Sequence, residues 1–207
     1  MSFLGISTES KAMKPKKTAF LLVFLFVFTS SLTAQTYREF VALVEVYRNT
    51  KGHSWTETWD MNAPMTTWKG VTIKDGHVVG LDLSNNNLDG KIPLTLVNLK
   101  HLKHLDLSGN KLTGRIPGGI GRMAQLYTLN VANNNLSGRI PRGFSKLTKL
   151  KSLQLSNNQF DDFDGLEEIK KYQLAHFDMN TEFKHLQLLD PKSQNVRLAN
   201  LEFEDID

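Results

Sequence analysis

Two short stretches hold residue types whose spacing could do chemistry. His101 and His104 lie three apart in HLKH, the kind of imidazole pairing from which zinc sites are built. Asp161, Asp162 and Asp164 crowd together in DDFDG, oxygen donors of the sort that surround calcium. Neither set is complete. His101 precedes a strand while His104 faces outward from it, so no third ligand is implied, and DDFDG lacks a following glutamate at the spacing of a calcium loop. Cysteine is absent, which removes thiolate nucleophiles, disulfides and cysteine-ligated zinc. There is no glycine-rich phosphate loop, and the acids Asp82 and Asp106 fall into a repeating exposed column. The reading is of no catalytic residue, no metal and no cofactor.

The elements that position these side chains recur every 24 residues. LDLSNNNLDGKIP begins at Leu81, LDLSGNKLTGRIP at Leu105, LNVANNNLSGRIP at Leu129 and LQLSNNQF at Leu153, with a faded copy at Phe177. One apolar column reads Val78, Leu102, Leu126, Leu150, Leu174, and another reads Leu83, Leu107, Val131, Leu155, Met179. Such phase is the mark of a solenoid, in which no unit buries its apolar face until the next covers it. Alternate apolar residues predict short strands whose other face is polar. Asn86, Asn110, Asn134 and Asn158 share a column where an amide can both donate and accept, which predicts a ladder serving the turn's backbone groups. Gly90, Gly114 and Gly138 permit a conformation that side chains resist. Pro93, Pro117 and Pro141 prevent a long helix on the outer side.

LDLSGNKLTGRIP followed by its apolar run resembles the leucine-rich repeat, in particular the 24-residue plant-type subclass with LxGxIP. The resemblance implies an α/β solenoid: a short right-handed coil with a parallel β-sheet on the concave face and a helical N-terminal cap. Residues 37–77 resemble that cap, through the apolar helix positions Phe40, Leu43, Val44 and Tyr47 and the Trp68-Lys69-Gly70-Val71 motif. The apolar spacing in YREFVALVEVYRNT predicts a helix that Gly52 terminates. The family cap usually carries cysteines where this chain has Thr66 and Ile73, so this cap resembles the disulfide-free variants of secreted bacterial and protist proteins. The implied ligand face is the concave one, made here by Asp82, His104, Asp106, Thr128, Asn130, Ser152, Gln154 and His176. It is polar and short of aromatic anchors. Trp55, Trp59 and Trp68 plug the open end of the first coil in preference to forming a sugar site.

The chain has 207 residues with 40% apolar and 22% charged content, enough for one domain and a targeting segment but too little for added catalytic domains. Lys14, Lys16 and Lys17 ahead of AFLLVFLFVF and Ala34 read as a secretory signal over residues 1–34, with Met13 as an alternative start. The apolar run is too short to span a membrane. A cap over 35–77, four to five coils over 78–183 and a C-terminal hairpin or tail over 184–207 complete the expected organisation. Residues 91–151 hold eleven basic side chains against Asp106 alone, a net +10, while residues 160–207 carry a net −7. Without basic-aromatic interleaving this excludes nucleic acid and leaves a dipole able to steer a partner. The expected protein is exported to a periplasm, the cell surface or beyond, monomeric and non-enzymatic, recognising a protein or glycan. Inhibition of an extracellular hydrolase and a structural or adhesive envelope role are the alternatives.

Overall fold

A computed structural model describes residues 34–167, 169 and 174–179. The expected secretory signal, up to residue 33, and the expected C-terminal hairpin or tail fall outside the described residues. The chain divides into two compact units, Met1–Gln35 and Thr36–Asp207, and all but the first residues of the described elements lie in the second.

The described part opens with helix α1 (Ala34–Asn49), followed by short 3₁₀ turns at Gly52–Ser54 and Met65–Thr67. Strands β1 (Val71–Lys74) and β2 (His77–Asp82) form an antiparallel hairpin across Asp75 and Gly76, both at positive φ (53° and 77°), as a type I′ turn requires. The coils then supply β3 (Asp89–Lys91), β4 (His104–Asp106), β5 (Lys111–Gly114), β6 (Thr128–Asn130), β7 (Asn135–Arg139), β8 (Ser152–Gln154) and β9 (Gln159–Asp162). A single helical turn, α2 (Asp164–Glu167), and β10 (His176–Asp178) end the described part. One sheet runs β1-β2-β4-β6-β8-β10, parallel from β2 onward. Its register aligns Leu81, Leu105, Leu129, Leu153 and Phe177, so the sequence period is the strand spacing.

A second sheet, β3-β5-β7-β9, was not expected from the sequence. It forms because the segment between each asparagine and the following proline is extended and lies beside its counterpart one coil away. Leu94–Asn98, Gly118–Arg122 and Arg142–Lys146 close the coils as 3₁₀ turns directly after Pro93, Pro117 and Pro141. Between the two sheets and these turns the apolar columns are buried from Val78 through Leu155, while Leu174, Phe177 and Met179 in the last described coil are partly buried. Each leucine contributes roughly 1.5–3 kcal/mol once covered, which only stacking achieves. The fold is an α/β leucine-rich repeat solenoid.

Two local expectations are corrected. The helix stripe turned inward is Glu39, Ala42, Leu43 and Val46, with Phe40, Val44 and Tyr47 only partly buried against the core. An acid takes an inner place because it finds partners there, described below. Gly52 does not terminate α1: the helix stops at Asn49, Thr50 Oγ1 donates to the Val46 carbonyl at 2.7 Å, and Lys51 takes the left-handed conformation. A side chain at Gly52 would instead strike the Tyr47 ring.

The tryptophans are interior. Trp59 stacks on Trp68 at 4.7 Å and meets Trp55 edge-on at 4.9 Å. Their indole N–H groups donate to the carbonyls of Thr50, Lys69 and Asp60 at 2.8–2.9 Å. No ring face is left for a sugar, and all three indole N–H groups are satisfied.

Candidate recognition face

Parallel pairing lines up His104, Thr128, Ser152 and His176 across β4, β6, β8 and β10, and Asp82, Asp106, Asn130, Gln154 and Asp178 two positions on. These side chains point away from the leucines because strand neighbours alternate. Ser152 departs from the row: it is buried, 4% exposed, and presents nothing to solution.

Much of the row is cross-braced. Asp106 Oδ1 accepts from the Ser108 N–H at 2.8 Å and its hydroxyl at 2.6 Å, while Oδ2 accepts from Asn130 Nδ2 at 3.0 Å. Asn130 Oδ1 accepts from the Ala132 N–H, and His104 Nδ1 lies 3.0 Å from Thr128 Oγ1. Partial burial pushes the His104 imidazole below the usual histidine range, and the Lys103 charge pushes the same way. Its neutral form is favoured. The side chains of Asp106 and Asn130 are thereby held in place, each by a bond within its own coil and by one bond between the two coils.

Tyr127 is the residue that sequence reasoning missed. It is 48% exposed and stands edge-on to His104, ring centroids 6.1 Å apart. Lys103 and Lys151 hold the same place one coil before and after, and the Tyr127 backbone bonds to both. The column at 103, 127 and 151 was available in the sequence as the place just ahead of each strand.

The metal expectations resolve differently from one another. Asp162 Oδ1 accepts from the Asp164 N–H at 3.0 Å, and Asp164 lies 3.8 Å from Arg142, so Asp162 serves a turn and Asp164 a surface ion pair. His104 is engaged with Thr128. His101 meets His77 and Glu39: both Nδ1 atoms face Glu39 Oε1, at 3.3 and 3.2 Å, and Oε2 accepts from the Val78 N–H at 3.0 Å. Among the described residues this is the one group of three whose metal-capable donor atoms all lie within 4.8 Å of one another. Sequence reasoning found His101 and missed its partners.

A family model described as leucine-rich repeats (2 copies) matches residues 77–117 and 125–168. No curated protein matches. Among solved structures, the chain is similar to the crystal structure of PEPR1-AtPEP1, with 28% identity and a TM-score of 0.59 over 66% of this chain and 20% of that one. It is also similar to the BIR3–SERK2 complex from Arabidopsis thaliana (27%, TM-score 0.56, 67% of this chain and 78% of that one). The leucine-rich repeat ectodomain of the receptor kinase SOBIR1 from Arabidopsis thaliana gives 26% and 0.54, over 66% and 74%. The chain thus spans a fifth of the first and about three quarters of the other two. Together the repeat matches and these structures support a leucine-rich repeat family.

Proposed function

We propose that this leucine-rich repeat chain is a secreted, non-catalytic recognition module that binds a protein partner across the outward positions of β4, β6 and β8. The 24-residue period with LxGxIP supports a place in the plant-type subclass, with α1 and the tryptophans as its N-terminal cap. Secretion rests on the leader-like residues 1–34. Two of the similar structures are complexes, which supports protein binding as the use of such a face.

The observation that carries the reading is Tyr127, half-exposed beside His104 and flanked by Lys103 and Lys151. Rigid aromatic side chains next to braced polar groups are the usual anchors of protein interfaces. The net +10 of residues 91–151 would steer an acidic partner toward them. The hydrogen bonds made by Asp106 and Asn130 support a preorganised surface in place of a proton-transfer site.

A photo-crosslinking residue placed at position 127 would identify the partner, and calorimetry would then compare the wild type with Tyr127→Ala and Asn130→Ala. Loss of about 30-fold in affinity for Tyr127→Ala is expected, the magnitude of a central anchor. Undiminished binding by both variants would overturn the reading.

A further inference from the structure

We infer that Glu39, His77 and His101 form a binding site for a divalent cation of the zinc class, which clamps the capping helix to the first two coils. Glu39 projects from α1 with its side chain wholly buried. His77 opens β2, and His101 stands 24 residues on, at the same place in the next coil. Two imidazoles and one carboxylate are a donor set that zinc takes with water in the fourth position.

The donor spacing matches that of ligands around one ion. Both histidine Nδ1 atoms face the same oxygen, Glu39 Oε1, at 3.2 and 3.3 Å. Charge-assisted hydrogen bonds from nitrogen to a carboxylate are shorter, about 2.7–2.9 Å. Donors placed about 2.0–2.1 Å from a tetrahedral centre lie roughly 3.3–3.4 Å from one another. The other oxygen, Oε2, is held at 3.0 Å by the Val78 N–H, the kind of outer hydrogen bond that orients a ligating carboxylate. A carboxylate with no exposed surface also carries a desolvation cost that a cation offsets.

One rearrangement is required. The two rings stack with centroids 3.7 Å apart and planes 22° apart, and planes so nearly parallel do not converge on one ion. His101 has room to turn, with 45% of its side chain exposed against 29% for His77. Binding therefore opens the stack. The next two places in this column, Gln125 and Lys149, bond to each other at 2.6 Å, so the metal-capable part is confined to the cap end.

The test is titration of tag-free, full-length protein with Zn²⁺ by calorimetry, and with Co²⁺ as a visible probe. One saturable site is expected, weakened at least about tenfold by His77→Gln or His101→Gln and unchanged by His53→Gln. Saturating Zn²⁺ should raise the Tm of the wild type and not of the two weakened variants. Absence of saturable binding, or equal binding by the wild type and both variants, overturns the inference. Should the variants unfold, imidazole ¹⁵N resonances of the wild type decide: zinc must shift those of His77 and His101. Unmoved resonances would leave only a hydrogen-bonded trio, and the site would be refuted.

Discussion

The side-chain Oδ1 of Asn110 accepts the backbone N–H of Leu88, 22 residues earlier, at 2.9 Å. The same oxygen takes the Asn86 N–H at 3.1 Å, and Nδ2 donates to the carbonyls of Leu83, Leu107 and Ser108 at 2.8–3.0 Å. Asn134 and Asn158 repeat the pattern one and two coils on, receiving Leu112 and Leu136. One amide per coil thus ties each turn to its neighbour.

Asn110→Leu strands several buried groups at once, each costing about 1–3 kcal/mol. A loss of about 3 kcal/mol or more is expected on urea unfolding. Asp106→Ala, which removes bonds on the partly solvated face, should cost about 1 kcal/mol. Equal midpoints for the two variants would count against the ladder.

His104 makes stability depend on pH. Its imidazole titrates lower in the folded protein than the unfolded value of 6.5. Below pH 6.5 the unfolded chain takes up the proton first, so this contribution is complete above 6.5 and is lost as pH falls toward the lowered folded value. The difference in Tm between wild type and His104→Gln, followed from pH 7.5 downward, should shrink across that window. A difference independent of pH would refute the assignment.

Trp59→Ala should destabilise by about 3–5 kcal/mol, since the ring lies between Trp55 and Trp68 and its N–H is bonded to Lys69. The same enclosure makes tryptophan emission of the native protein insensitive to added monosaccharides. A saturable change in emission would place a sugar on these rings after all.

Tyr127→Ala should leave the urea midpoint nearly unchanged, within about 0.5 kcal/mol, because the ring is half-exposed. A large loss would make Tyr127 a structural residue and remove the anchor from the recognition face.

The repeat was legible in the sequence because its rules are local and recur. Leu81, Leu105 and Leu129 meet the same surroundings in successive coils, so one apolar column repeated at a fixed spacing reports one buried spine. Asn86, Asn110, Asn134 and Asn158 were readable for the same reason, as was the polar face opposite the leucines. The second sheet was less so: its members are three to five residues long, with glycine inside several of them, and carry little strand signal of their own.

Sequence by itself determined the period, the spine and which strand positions face outward. Tertiary structure alone decided where exceptions fall. Glu39 is an interior carboxylate because His77 and His101 arrive from 38 and 62 residues away. Ser152 occupies a place that repetition marks as exposed, yet is covered. A residue's burial depends on what the rest of the chain brings against it, and at the ends of a repeat array those neighbours are no longer copies of one another.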